Sequence, residues 1–333
     1  MADKVRVALM GAGGMGMNVH LPCLASLPDV ELAGVCDVVE EKAVAAAAQF
    51  GIPSSFTDYH EMLAAVDPQV VYAALRPQDL FEPSAAILQQ GRHLFVEKPL
   101  AMTAKQAQML AYIAAEHSCL TAVGFQRRHI PALTALKPRV EEQGPIHQAT
   151  VSFLKGGQHF PFDKHAGLYG AVIDNLTVDG VHAVDNLRFL CGGEVVSVAA
   201  HVRARYVPGP MPNEFTALIS FSTGAVGILQ SSYATRIGVF RAEFHGRNVT
   251  GYVDANGQSF LRGGREKSEV YESKEFGTAG GAAGDSHLHW TGFWHENRHF
   301  IDCVREGRQP LTHFADAAKS MELVEQIHQA GSR

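Results

Sequence analysis

Val5-Arg6-Val7-Ala8-Leu9-Met10-Gly11-Ala12-Gly13-Gly14-Met15-Gly16 is the stretch that decides the fold. The apolar run Val5–Leu9 predicts a buried strand, and the glycine loop at 11–16 opens onto a helical stretch. The loop fits the spacing G-x-G-x-x-G. Alone that spacing is a weak signal, but a strand before it and a helix after it are the context its mechanism needs. Gly11 permits the tight turn, Gly13 lets the backbone approach a pyrophosphate, and Gly16 lets helix pack on strand, so that the helix N-terminus meets phosphate charge. About twenty residues beyond the loop, Asp37 ends a second strand, where an acid grips ribose hydroxyls. Val38 and Val39 follow it, with no adjacent cation for a 2′-phosphate, so NAD is favoured over NADP; Lys42 is the nearest cation.

Working outward, short β-branched runs alternate with amphipathic helical stretches. Strands are predicted at Leu32–Cys36, Val70–Ala74, His93–Val96 and Leu120–Val123. Helices are predicted over Glu40–Phe50, within Leu80–Gln90 and over Ala104–Glu116. This alternation predicts an α/β doubly wound parallel sheet, the Rossmann arrangement. After Gly124 the pattern changes. Strands are read at 147–155, 195–205, 214–221, 225–234 and 248–253, with one helix at about 178–190 and another near Ala315–Gln329. Runs of strands with few helices between them predict an α+β domain with an open, mainly antiparallel sheet. The expected domains are 1–124 and 125–333. Residues 156–168 and 277–285 read as loops, and no internal repeat is visible.

Composition bounds the rest. With 333 residues, 46% of them apolar, the chain can build two cores. Its formal net charge of −6 is spread thinly, which argues against a nucleic-acid or anionic-membrane partner. Five scattered cysteines without a CxxC pair read as reduced core residues. Asp3 and Lys4 lead straight into the first strand, so no targeting segment is expected. No apolar run reaches the ~20 residues of a membrane helix, and a cytoplasmic protein is expected.

Phe95-Val96-Glu97-Lys98-Pro99-Leu100 closes a strand at its carboxyl end, where a doubly wound sheet lines its ligand crevice. A lysine there can polarise a carbonyl or stabilise a developing alkoxide. By local spacing alone, a plain Glu–Lys surface pair is an equal reading.

The strand–GAGGMG opening, FVEKPLAMT, VGFQRRHIPALTALK at 123–137, GVHAVDNLRFL at 180–190 and the C-terminal HFIDCVREGRQPLTHFADAAKSMELVEQI tip that balance. Together they resemble the glucose–fructose oxidoreductase / inositol dehydrogenase / rhizopine-catabolism (Gfo/Idh/MocA) family nearly end to end. The resemblance implies an NAD(P)-dependent oxidoreductase acting on a hydroxyl or carbonyl of a sugar, cyclitol or glycoside. It implies a catalytic Lys98, a general acid/base His182, and Glu97 near the nicotinamide ribose. Gly14, Met15, Arg76 and Gln126 join Gly11, Gly13, Gly16, Asp37 and Glu97 as the expected cofactor contacts. It further implies a homo-oligomer, dimer or tetramer, built through the C-terminal sheet.

Histidine suits acid/base work because it titrates nearest neutrality. Asp179 and Asp185 bracket His182 at three residues on either side. A helix histidine bonded to a carbonyl is the bland alternative. The chain departs from the family in three places. Val178 stands where members carry an aspartate four residues before the histidine, with Asp179 the closest substitute and Asp174 or Asn175 the next. Arg76-Pro77 replaces Thr-Pro, and Phe81 replaces a histidine.

His129, His159, His165, His287 and His289 fall in expected pocket segments, His165 being taken as a substrate contact. Phe160, Phe162, Tyr169, Trp290 and Trp294 suit sugar faces, core or subunit interface equally. Arg127 or Arg128 can bind a carboxylate or phosphate, against a default of structural pairing. His295 and His299 have metal-compatible spacing, but no carboxylate or thiol completes a ligand set, and no metal is expected. Two other functions stay open: glycoside cleavage by transient oxidation and elimination on retained NAD, and a non-catalytic sugar or dinucleotide sensor.

Overall fold

The structure is a computed structural model and describes residues 4–156, 174–205, 211–263, 269–272 and 287–331. It divides into two compact units, Met1–Phe125 with Phe293–Ala318, and Gln126–Gly292 with Lys319–Arg333.

The first unit is built on a six-stranded parallel sheet: β1 (Val5–Met10), β2 (Val30–Cys36), β3 (Ser55–Phe56), β4 (Val70–Ala73), β5 (His93–Val96) and β6 (Thr121–Val123). Its order is β3-β2-β1-β4-β5-β6. Val5, Val7, Ala8, Leu9 and Met10 are all buried, as a strand covered on both faces requires. The helices are α1 (Leu21–Ala25), α2 (Glu40–Phe50), α3 (Tyr59–Val66), α4 (Phe81–Gln89) and α5 (Ala104–Glu116). The sequence reading passed over α3, although Asp58 caps it by accepting hydrogen bonds from the His60 and Glu61 amides. Strand order reverses between β1 and β4, and the crevice at such a reversal is where open α/β sheets take ligands.

The second unit carries α6 (Pro131–Glu141) and α7 (Val181–Cys191). Its strands are β7 (Gln148–Gly156), β8 (Val195–Arg203), β9 (Glu214–Phe221), β10 (Val226–Thr235), β11 (Val239–Gly246), β12 (Val249–Asp254), β13 (Gln258–Gly263) and β14 (Glu269–Glu272). The order is β14-β13-β12-β11-β7-β10-β9-β8. The β7–β10 pair is parallel and the other described pairs are antiparallel, so the sheet is mixed and mainly antiparallel. Period-two burial turns Ala149, Val151 and Phe153 of β7, and Phe240, Ala242 and Phe244 of β11, to one face. Helix α7 packs on this sheet at β7 and β10.

The two-domain division expected from sequence differs from these units in one segment. Phe293–Ala318 belongs to the first unit, not to a continuous second domain. The cause is α9 (Phe293–Glu306), which follows the short α8 (His287–Trp290). From α9, Phe300 and Ile301 enter the core of the first sheet, with the Phe300 ring 5.8 Å from Tyr72 and 5.7 Å from Phe95. Burying two such side chains contributes roughly 1.5–3 kcal/mol each. Arg298 adds two hydrogen bonds to Asp29, at 2.7 and 2.9 Å. The last helix, α10 (Phe314–Gly331), begins in the first unit, where the Phe314 amide donates to Thr121 Oγ1, and ends in the second.

Candidate active site

In the first unit the carboxyl end of β1 runs into the glycine loop. Gly11 has φ +92°, and a Cβ there would lie 2.4 Å from the Ala74 carbonyl oxygen at the end of β4. A Cβ on Gly16 would lie 2.2 Å from the Gly11 oxygen. Both glycines are therefore imposed by the protein's own backbone. Gly13 and Gly14 differ, because a Cβ on either meets no protein atom within 4 Å. What fits there is a group from outside the chain, and the phosphates of a dinucleotide match a glycine loop opening a helix. Helical backbone begins at Gly14 and continues through Met15 into a π-helical turn over Gly16–His20. Asp37 is tied to the loop through Oδ2, which accepts from the Ala12 amide, while Oδ1 accepts from the Val39 amide two residues on, each at 2.9 Å. Its remaining lone pairs suit ribose hydroxyls.

Glu97 and Lys98 leave the end of β5. Glu97 is buried, accepts the Lys98 amide on Oε2 at 3.1 Å, and lies 2.9 Å from His20 Nε2 through Oε1. His20 is fully buried, with Nδ1 at 3.2 Å from Asn297 Oδ1. Asn297 gives its Nδ2 hydrogen to the Phe293 carbonyl, which fixes its amide orientation. Nδ1 of His20 must then be a donor to Asn297. Gly124 makes room for this carboxyl, since a Cβ there would stand 3.1 Å from Glu97 Oε1. Sequence reasoning missed the chain Asn297–His20–Glu97, whose members are 277 and 77 positions apart. Arg76, an expected cofactor contact, places its Nε 2.6 Å from Asp79 and is half exposed.

In the second unit a π-helical turn, Leu176–Gly180, leads into α7 and carries Asp179, with His182 just beyond; both are buried. Asp179 lies 2.6 Å from Lys155 Nζ and accepts from the Tyr233 hydroxyl at 3.1 Å. Burial, then the Asp179 charge, pushes the Tyr233 hydroxyl well above its ordinary range, so Tyr233 stays a donor. Lys155, Phe153 and Tyr233 project from the same sheet face. The Phe153 ring has His182 at 6.3 Å, Lys155 Nζ at 5.0 Å and the Arg127 guanidinium carbon at 4.8 Å. Lys155 and Tyr233 escaped the sequence reading. The signal was the strand period that already turned Phe153 inward and therefore turns Lys155 the same way.

Neighbouring residues have contrasting roles here. Arg128 and Asp185 form a buried bidentate pair, 2.7 Å from Nε and 2.5 Å from Nη2, with Ser320 Oγ donating to the same carboxylate. Asp185 is thus committed to structure rather than to His182. Asp174 accepts from the Leu176 and Thr177 amides and from Thr177 Oγ1, the duties of a helix cap. Arg127 rests over Phe153 and over Phe240, the latter at 4.3 Å. Burial pulls the Arg127 guanidinium down to about 10, against the opposing pull of Asp179 and Tyr233, and it remains charged at neutral pH. Gln126 is buried, and its Oε1 has no hydrogen-bond partner among the described residues.

His159, Phe160, Phe162, His165, Tyr169 and both expected loops fall wholly or almost wholly outside the described residues, His165 among the substrate contacts. His299 Nε2 accepts the Leu311 amide at 3.0 Å. Among the described residues no group of three or more His, Cys, Asp or Glu is placed to hold a metal ion. None of the described helices is long and apolar enough to cross a membrane. All five cysteines are buried and unpaired.

The sequence model described as "Oxidoreductase family, NAD-binding Rossmann fold" matches residues 5–125, and that of the Gfo/Idh/MocA C-terminal domain matches 142–250, well over half the chain together. The chain belongs to this family. It is an oxidoreductase whose first unit is the family's NAD-binding Rossmann fold. Among similar proteins is the scyllo-inositol 2-dehydrogenase (NAD(+)) of Bacillus subtilis (strain 168), 27% identical over 97% of this chain and 93% of that one. The D-glucoside 3-dehydrogenase of Escherichia coli (strain K12) is 31% identical over 60% of this chain and 58% of its own length. In fold, this Gfo/Idh/MocA chain matches a levoglucosan dehydrogenase solved with NADH and levoglucosan, with TM-score 0.85 and 21% identity over 99% of this chain and 98% of that one.

Proposed function

We propose that this family member is an NAD-dependent dehydrogenase or reductase acting on a secondary hydroxyl, or the matching carbonyl, of a sugar, cyclitol or glycoside. The observation that carries the reading is the buried turn holding Asp179 and His182, in a chain that also bears the dinucleotide cradle and Lys98. The dehydrogenase names of its inositol and glucoside relatives support the substrate class.

Gly13, Gly14 and the helix start would hold the pyrophosphate, and Asp37 the adenosine ribose. When bound, NAD supplies the hydride acceptor, or as NADH the donor. His182 takes the hydroxyl proton as the alcohol is oxidised and returns it in reduction. Lys98 lowers the energy of the oxygen as it gains negative character. Asp179, held by Lys155 and Tyr233, lies on the turn that leads to His182. Asp179 thus fills the place of the aspartate that Val178 lacks. Assembly through the second sheet is part of the proposal, supported by exposed Val196 and Leu218 on its strands. So is a cytoplasmic location, supported by five unpaired thiols.

The test is a panel of sugars, inositols and glycosides with NAD, following reduced nicotinamide. Lys98→Ala is expected to lower kcat about 10²–10³-fold while NADH still binds. Unchanged turnover in that variant contradicts the assignment. Glycoside cleavage without net NADH, or ligand binding without any turnover, would favour the elimination or sensor reading respectively.

A further inference from the structure

Among the described charged groups around the Asp179–His182 turn, Arg127 is the one left without an explanation by the reading above, on which this inference rests. Arg128 beside it is consumed by Asp185. Among the described residues Arg127 meets no carboxylate within ion-pair distance and donates no hydrogen bond, and its Nε is buried without a partner. Aromatic faces support the guanidinium, since its carbon lies 4.8 Å and 4.3 Å from the Phe153 and Phe240 centroids. Ring contacts of that kind satisfy none of the guanidinium's hydrogen-bond donors with a conventional acceptor. Arg127 is half-buried as a residue, with its Nε inside, so a ligand would reach it through the terminal nitrogens of the fork.

Charge balance points the same way. Among the described residues, Lys155 and Arg127 bring positive charge to this face, and the carboxylate of Asp179 is already engaged at 2.6 Å with Lys155. Arg127 is thus without an ion-pair partner among the described residues in a partly desolvated setting, which costs free energy until an anion arrives. The Phe153 ring is common to Arg127, Lys155 and His182, so an anion on Arg127 would belong to the molecule whose hydroxyl His182 serves.

We infer that Arg127 anchors a carboxylate of the substrate, and that the compound oxidised is a sugar acid, an aldonate or uronate, rather than a neutral polyol. A planar guanidinium edge matches a planar carboxylate through two parallel N–H···O bonds. A single excess charge matches a monoanion better than a phosphate dianion.

The experiment uses the full-length protein with NAD. Initial rates on D-glucuronate and D-gluconate are compared with those on D-glucose, myo-inositol and D-glucose 6-phosphate, for wild type, Arg127→Met and Arg127→Lys. Separately, the rise in unfolding temperature on adding D-glucuronate to the NADH-loaded protein reads binding without turnover. The expected result is a wild-type kcat/KM ratio of acid to neutral sugar of at least about tenfold. Arg127→Met should reduce that ratio by about 10- to 100-fold and abolish the thermal shift, with Arg127→Lys intermediate because it keeps charge but not the fork. Retained NADH binding shows that each variant is folded. Efficient turnover of neutral polyols with no preference for the acids and no shift with glucuronate overturns the inference and leaves the dehydrogenase reading standing. Preference for the sugar phosphate overturns the carboxylate assignment. An Arg127-dependent shift without turnover of any panel member upholds the anchor and counts against the dehydrogenase reading.

Discussion

The NAD-binding first unit and the second unit, where the substrate site is proposed, are built by different means. Around the glycine loop the chemistry is backbone: amides, a helix start, and positions where a side chain must be absent. On the face of the second sheet the proposed site is side chain, gathered from Arg127, Phe153, Lys155, Asp179, His182, Tyr233 and Phe240 on separate segments. A backbone site is written in contiguous residues and tolerates only glycine. A sheet-face site is written at alternate positions of several strands, and each member tolerates substitution at the cost of specificity rather than fold.

Three substitutions sharpen that contrast. The largest effect is expected from Arg128→Ala, which leaves the fully buried Asp185 charge unpaired. Thermal or denaturant unfolding should show a loss of about 3–5 kcal/mol. A loss below about 1 kcal/mol would mean that Arg128, like its neighbour, is not a structural cation. Gly13→Ala comes next. With no protein atom near the added methyl, stability should hold within about 0.5 kcal/mol. NADH titration should instead weaken about tenfold or more, the overpacking now falling on the ligand. Equal losses of stability and affinity would erase the distinction between Gly13 and Gly11.

The smallest effect concerns Asp174. Burial would raise its carboxyl, but hydrogen bonds from His328 and Thr177 outweigh this and hold it below its ordinary value. A depressed carboxyl contributes stability above its unfolded-state pKa, near 4, and loses it as pH falls through the folded value. Asp174→Asn should therefore cost up to about 1 kcal/mol at pH 7 and less at pH 3. A cost that grows on acidification would contradict the sign.

Legibility followed the same divide. Helix α2, helix α5 and strands β5 and β9 lie where apolar periodicity puts them, because each is amphipathic or fully buried over its whole length. Helix α3 carried a readable cap in Asp58 yet was passed over, and β11 alternates Phe240, Ala242 and Phe244 as clearly as its neighbours. The return of α9 to the first unit had no local signal. Its amphipathic face says only that it packs, not against which sheet. Pairings such as Asn297–His20–Glu97 and Lys155–Asp179 join distant positions and arise from topology. The sequence contained both arginines at 127 and 128, but only coordinates separate the paired one from the one without a hydrogen bond.

The central claim is that hydride moves between a substrate carbon and NAD under the control of Lys98 and His182. Its most direct test supplies NAD and C-deuterated D-glucuronate, D-glucose and myo-inositol, and weighs the nicotinamide by mass spectrometry. The account predicts NADH carrying one deuterium with at least one of these compounds, and a rate of labelling about 10²-fold lower or less in Lys98→Ala and in His182→Ala. Unlabelled nicotinamide from the whole set, or labelling as fast in those variants as in the wild type, would contradict it.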